Sequence, residues 1–298
     1  MDSLAVSCVV DTKPQYYRQC IHWIATLLVS GTVKANEIVV HVIGDQPAVF
    51  LDLLEFLGVR ALKIKSFASN DSPYCNKLMQ LKSRYLFGFD RIVLMDTDMA
   101  VVENIRSILC TRSLAAKTVD TSSPPIDILL QLLKRSKINR EPKIVSSDFG
   151  VGGTFLGNCN GGVYVISREK FRELAPIWLK WAYWMLDQKR ILGNYIKHTD
   201  QISFCFALLE LNMDIELLDL EMNFPTHLKP TTYCDLHGIS PKILHYHANA
   251  SSFGVLQPIG RETVDSAIAK ANASIKSFQS LLPPRFFVND RLCFETLL

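Results

Sequence analysis

Apolar runs of strand type recur through the first hundred residues, and each is followed by a stretch with helical spacing. LAVSCVV (4–10) is short and apolar, as a buried strand is. Pro14 then opens a helix that carries Tyr17, Ile21, Ile24 and Leu28 on one face. EIVVHVI (37–43) is the next strand, and residues 47–57 form a helix that Gly58 stops. Residues 61–67 are again a strand, 76–87 a helix ending at Gly88, and IVLM (92–95) a fourth strand. Strands separated by helices predict an α/β fold with a parallel, doubly wound sheet.

Ligands of open α/β sheets collect beyond the carboxyl ends of the strands. Asp11 follows the first strand; Asp96 and Asp98 follow the fourth. Two strands therefore bring acids to one rim. Carboxylates in a dry place need a neutralising partner. If residues 96–98 are extended, positions i and i+2 face the same way and the two acids point at one spot. A hard divalent cation there would relieve their repulsion and bridge to phosphate oxygens. A bare Asp-x-Asp is short, and exposed turn acids and helix caps share the pattern.

Further along, TVDTSSPP (118–125) is a turn-rich break before a helix at 126–136. The basic stretch KRSKINREPK (134–143) follows it. Gly150, Gly152, Gly153 and Gly157 make a flexible passage into CNGGVYVIS (159–167), whose second half is a strand. Residues 168–186 and 198–211 are helical, 243–247 (ILHYH) a short strand, and 262–281 an amphipathic helix. The aromatic residues Trp178, Trp181 and Trp184 read as core rather than as a carbohydrate platform. The tail beyond Pro283-Pro284 takes no assignment; its end, RLCFETLL, is apolar enough to pack on a partner or a neighbouring domain.

With 298 residues and 48% hydrophobic content the chain can bury a full core, in one large or two small domains. A net charge of +3 is too weak to point to a nucleic-acid partner, and none is expected, while a basic pocket for a polyphosphate is compatible with it. The eight cysteines form no CxxC pair and no zinc spacing, so buried reduced thiols are expected. The N-terminus has no basic region or cleavage site, and no apolar run approaches about 18 residues. A cytoplasmic protein is expected, with contact at a membrane surface compatible.

KLMQLKSRYLFGFDRIVLMDTDMAVVENI (77–105) resembles the core of GT-A nucleotide-sugar glycosyltransferases, most closely family 8, the glycogenin and bacterial galactosyltransferase group. Further stretches agree in order. CNGGVYVIS resembles the family's Asn-x-Gly-Val strand and HTDQISFCFALL its Asp-Gln helix. LDLEMNF resembles its Leu-Pro-x-x-x-Asn segment, with Asp219 where Pro is usual, and ILHYH its metal strand. The resemblance implies a Rossmann-like GT-A domain over 1–260 with a mixed, mainly parallel central sheet flanked by helices. Its nucleotide-binding half would be about 1–110 and its acceptor-side half about 111–260, with 261–298 a C-terminal helix and tail.

The resemblance also implies an activity: metal-dependent transfer of a sugar from a nucleoside diphosphate, a UDP-sugar by preference, to a hydroxyl of a glycan, lipid-linked or protein acceptor, with retained anomeric configuration. Asp96, Asp98 and His245 would bind Mn²⁺ or Mg²⁺, with the imidazole favouring Mn²⁺. His247 is the alternative imidazole ligand, or a hold on the diphosphate. Asp11, Thr12, Tyr16, Tyr17 and Thr97 would lie along the nucleotide, with Tyr16 or Tyr17 either stacked on the base or packed in the core. Lys77 would lie near the sugar and phosphates; at a helix start its charge opposes the dipole, which hints at an anionic neighbour. Asn160, Gly161 and Gly162 would approach the donor sugar, and Asp200 and Gln201 would stand beside the anomeric carbon. Asp200 also suits a plain helix start.

The family's Gly-x-x-Lys-Pro-Trp is missing, replaced by HANASSFG (247–254), so the leaving phosphate would rest on His247, Arg261 or backbone amides. Residues 111–150 match poorly. A sugar-nucleotide nucleotidyltransferase would need a Gly-rich basic loop where DTKPQYYRQ stands, and a dehydrogenase a GxGxxG. A non-catalytic sugar-binding module would not need the acid pair, His245 and Asp200-Gln201.

Overall fold

A computed structural model describes residues 3–67, 73–150, 152–228, 230–233, 238–288 and 291–293. In chain order the strands used below are β1 (Leu4–Val10), β2 (Ile38–Ile43), β3 (Arg60–Ile64), β4 (Arg91–Met95), β5 (Met99–Val101), β6 (Leu114–Thr118), β7 (Ile144–Ser146), β8 (Gly153–Phe155), β9 (Cys159–Ser167), β10 (Glu216–Leu217), β11 (Phe224–Pro225) and β12 (Ile243–His245). The helices are α1 (Pro14–Val29), α2 (Ala48–Phe56), α3 (Arg106–Thr111), α4 (Ile126–Ser136), α5 (Arg168–Asp187), α6 (Lys189–Leu192), α7 (Thr199–Leu211) and α8 (Glu262–Gln279). A mixed sheet runs in the order β10-β6-β9-β4-β1-β2-β3.

Two compact units interleave along the chain: Met1–Ser3, Ser66–Ile92 and Arg112–Leu218 form the first, and Leu4–Lys65, Val93–Thr111 and Asp219–Leu298 the second. Neither unit is contiguous in sequence, and α8 falls in the same unit as the N-terminal strands.

In the second unit β1 pairs parallel with β2, and β2 with β3. β1 and β2 are buried and mainly apolar, as parallel strands covered by helices must be, and their polar residues Ser7 and His41 meet each other at 3.0 Å. α8 packs on α1 in the same unit. A small sheet, β11-β12-β5, completes it, with β12 antiparallel to β5. In the first unit β10 is parallel to β6 and β6 antiparallel to β9, while α5 packs on α7. Trp178 lies fully inside that layer between Tyr164 and Phe204, with ring centroids 4.9 and 4.7 Å away.

Some expectations need correction. Residues 76–87 are not an α-helix: Pro73–Lys82 and Leu86–Gly88 are 3₁₀ turns. Cys75, Leu78, Met79 and Leu81 are all buried there, and a tight 3₁₀ path meets that pattern where an amphipathic α-helix would leave one face wet. Within the passage expected to be flexible, Gly153–Phe155 form β8, which pairs antiparallel with β7. All of CNGGVYVIS is strand, not only its second half. Among the described cysteines, Cys8, Cys20, Cys75, Cys159 and Cys205 are buried and free, as expected, while Cys110 and Cys293 are half-buried. Cys234 and the last residues of the tail, 294–298, lie outside the described residues. No described helix is long and apolar enough to cross a membrane.

Candidate active site

The second unit gathers the imidazoles and one acid. β4 ends at Met95, the chain turns through Thr97 and Asp98, and β5 starts at Met99. The segment is a turn and not extended, so the i, i+2 argument for Asp96 and Asp98 does not apply. The antiparallel ladder sets His245 opposite Met99, next to Asp98, and the Tyr246 amide donates to the Asp98 carbonyl at 3.0 Å. His245 Nε2 lies 3.4 Å from Asp98 Oδ1, and His247 Nδ1 lies 3.5 Å from Asp98 Oδ2. These three residues each offer a ligand atom within 4.8 Å of the others. Asp96 stands outside the cluster, half-buried, and its charge helps to raise the thiol of Cys8 after burial and Cys20.

His247 arrives by a route the sequence hides. The strand stops at His245, and His247 takes a left-handed φ of +47°. Its ring thereby stacks on His245 with centroids 3.6 Å apart, and the exposed His227 ring closes on it at 3.8 Å.

His245 Nδ1 lies 3.0 Å from Asn223 Oδ1. An amide oxygen only accepts, so Nδ1 carries a proton and Nε2 is the nitrogen that faces the Asp98 carboxylate. At that separation Nε2 and the carboxylate can share either a proton or a cation. A histidine whose other nitrogen donates to an amide oxygen is also how metal-ligating imidazoles are oriented. The donor set, two imidazole nitrogens and a carboxylate, therefore fits a divalent cation. Burial pushes the Asp98 carboxyl up, but the positive charge of His245, its hydrogen bond and the charge of His247 outweigh that and hold it well below the usual carboxylate range.

Of the expected nucleotide residues, Asp11 accepts from the Thr12 amide at 2.7 Å, closing the turn after β1. Thr97 is buried, with its hydroxyl donating to Gln19 at 3.3 Å. Tyr17 is core, 4.9 Å from the Phe50 ring, while Tyr16 is half-buried. Arg18 donates to the Ser252 carbonyl at 2.9 Å and holds the segment that stands in place of the missing lysine motif.

The first unit carries its own cluster. Asp200, in the first turn of α7, is 2% exposed. Its Oδ2 lies 3.0 Å from Lys77 Nζ, which also donates to the Gly161 carbonyl at 3.2 Å. Its Oδ1 is buried with no hydrogen-bond partner among the described residues. Trp178 anchors the backbone here, donating to the Asp200 carbonyl at 2.9 Å. The anionic neighbour expected for Lys77 is thus Asp200. A Cβ on Gly161 would lie 2.5 Å from Lys77 Nζ, 3.0 Å from Asp200 Oδ2 and 3.6 Å from Gln201 Cγ, so glycine admits the lysine.

Asn160 donates to Asp120 at 2.8 Å and accepts from the Gly162 amide at 2.9 Å. The β6–β9 register breaks here, freeing that side chain from plain strand geometry. Asp120 also accepts from Lys117 Nζ at 2.7 Å, and Lys117 pairs with Asp148. Lys117 is 1% exposed. Burial raises the Asp148 carboxyl, with Lys117 opposing and Asp120 adding.

Sequence reasoning missed Lys117, Asp120 and Asp148, reading 118–125 only as a turn. The LDLEMNF stretch carries no sequence signal for the role of Asn223. His227 carried no signal.

No protein-family model matches the sequence, and no curated protein matches it. Solved structures do resemble the fold. Mouse xyloside xylosyltransferase 1 superposes with a TM-score of 0.50 at 15% identity, covering 83% of this chain and 98% of that one. The galactosyltransferase LgtC, in complex with donor and acceptor sugar analogues, gives 0.52 at 14% identity, covering 95% and 99%. The glycosyltransferase GlyE of Streptococcus pneumoniae TIGR4 gives 0.52 at 15% identity; 93% of this chain spans 63% of that one. At such identities the likeness is one of fold, the mixed, mostly parallel GT-A arrangement.

Proposed function

We propose that the chain is a metal-dependent glycosyltransferase that moves a sugar from a nucleoside diphosphate, UDP by preference, to an acceptor hydroxyl with retention of anomeric configuration. The observation that carries the reading is the Asp98–His245–His247 cluster at the β4–β5 turn of a glycosyltransferase-like fold. Asp98, His245 and His247 would hold the cation, and Asp96 is proposed to assist from beyond Thr97. Two imidazoles favour Mn²⁺ over Mg²⁺, which prefers oxygen. Bound there, a divalent cation supplies Lewis-acid neutralisation of the diphosphate oxygens.

The remaining work falls to the chain. Asn223 orients His245 through Nδ1. Asp11, Thr12, Tyr16 and Thr97 line the nucleotide, with Tyr16 against the base. In the first unit Lys77 supplies fixed positive charge for the departing phosphate. Asn160, with Gly161 and Gly162, meets the sugar. Asp200 and Gln201 attend the anomeric carbon as positive charge builds on the ring. Asp200 is tied to Lys77 and Gln201 is an amide, so neither is an activated nucleophile. Given retention, as the resemblance implies, this favours attack from the face the diphosphate leaves over double displacement. The acceptor is a glycan, lipid-linked or protein hydroxyl.

Calorimetry with UDP, with and without Mn²⁺, tests the metal assignment; binding indifferent to Mn²⁺ refutes it. Hydrolysis of UDP-, GDP- and CMP-sugars in Mn²⁺ identifies the donor. Proton NMR of the anomeric coupling in the product decides the stereochemistry, and an inverted product rules the retaining mechanism out.

A further inference from the structure

Within the first unit, a cleft of about 650 Å³ opens between the C-terminal ends of α4 and α7 and one side of α5. Asp200 and Glu210 lie ten positions apart on α7, about 15 Å of helix rise, so this cleft is remote from Asp200. Its floor is aromatic. Trp181 is buried, while Trp184 is half-buried with Phe206 beside one face, centroids 6.2 Å apart and planes at 26°. Trp181 meets Trp184 edge-on at 5.0 Å, so the ring is held as a platform before any ligand arrives.

The walls mix donors and acceptors. Lys137 and Asn212, each with left-handed φ (+63° and +53°), turn the chain at the two helix ends. Lys137, Asn139, Arg140 and Asn212 line the cleft and offer N–H donors. The basic stretch noted in the sequence thus contributes to a wall. Facing them is Glu210, which accepts from Lys180 at 2.6 Å and from Trp181 Nε1 at 2.6 Å. The last-turn carbonyls of α4 and α7 add two partial negative charges.

The charges at the cleft are close to balanced, since Lys180 pairs with Glu210, Arg140 pairs with Asp214, and Lys137 stands at the C-terminal end of α4, so an anion finds little unpaired positive charge. A hydroxyl both donates and accepts, which suits these walls, and the apolar face of a pyranose suits an indole. We propose that this cleft is a binding site for a neutral saccharide, separate from the transfer chemistry and independent of it.

Saturation-transfer NMR on the full chain tests this, using maltotetraose, cellotetraose and chitotetraose as probes. UDP and diamagnetic Mg²⁺ are present in excess to occupy the candidate donor site. At least one probe is expected to bind, and Trp184→Ala and Asn139→Arg should each weaken it tenfold or more. Asn139 is exposed, so its substitution blocks the cleft and decides the matter even if Trp184→Ala misfolds. The proposal is overturned if none of the three binds, or if Asn139→Arg leaves binding unchanged. It is equally overturned if tetragalacturonate or UMP, run as the anionic and nucleotide counterparts, occupies the cleft more tightly.

Discussion

Asp98 and Asp96 are two residues apart, yet only Asp98 lies in the imidazole cluster. Asp98→Asn should therefore abolish Mn²⁺-dependent UDP binding and lower transfer on the order of 10²-fold, as losing a fixed electrostatic group does. Asp96→Asn should cost less and leave a metal-dependent signal; titration of Mn²⁺ against both variants separates them. Gly161 makes a second test. Its missing Cβ would meet the tip of a flexible lysine, not backbone, so Gly161→Ala should change the melting temperature little. It should nevertheless push Lys77 off Asp200, and the loss should appear in kcat. Buried histidines set the response to acid. Burial holds His41 down to about 4 and His22 down to about 3. The unfolded chain then binds protons below about pH 6.5 that the folded chain refuses, so stability falls as pH falls. Denaturant titrations at pH 7 and pH 5 should differ by about 2 kcal/mol for each histidine, and His41→Asn should flatten the slope.

At the scale of elements, what could be read from sequence was whatever local pattern decides. β1, β2 and β4 are mainly apolar runs, interrupted by Ser7, His41 and Arg91, and burial on both faces demands such runs. The DTD turn, the 3₁₀ path at 73–82 and the left-handed His247 were not legible, because tertiary contacts select those backbone angles. The Lys117 cluster shows why the rest of the site was hidden. Lys117 on β6 meets Asp148 from 31 positions away, and Asp120 meets Asn160 from 40 positions away across the β6–β9 break. No spacing rule spans such separations. Lys117 lies between two carboxylates and neutralises only one charge, so removing it leaves both to repel. Lys117→Met should cost about 3 kcal/mol, as breaking a buried pair does. The loss should shrink in acid as the raised Asp148 takes up its proton, and Asp148→Asn in the same chain should recover part of it. Chemical denaturation of the single and double variants measures this.

For the whole molecule, the sequence suggests a domain ending near residue 260 with a helix and tail attached. The fold instead counts Asp219–Leu298 with β1–β3 in one compact unit. The difference is physical. An amphipathic helix at a chain end looks like an appendage when only its own pattern is read, but the pattern does not say what its apolar face covers. Here α8 buries Val264, Ala267, Ile268, Ala271, Ile275 and Phe278, and it packs on α1, the helix that follows β1. Each large side chain among these contributes roughly 1.5–3 kcal/mol on burial. Together they rival the roughly 5–15 kcal/mol by which a whole domain is stable. A chain ending at Gly260 should therefore lose cooperative unfolding of the second unit, and with it UDP binding. Limited proteolysis should then cut between β1 and β3, where the intact chain resists. A 1–260 fragment that melts like the intact protein would make α8 the appendage its sequence suggests, and would return the boundary to residue 260.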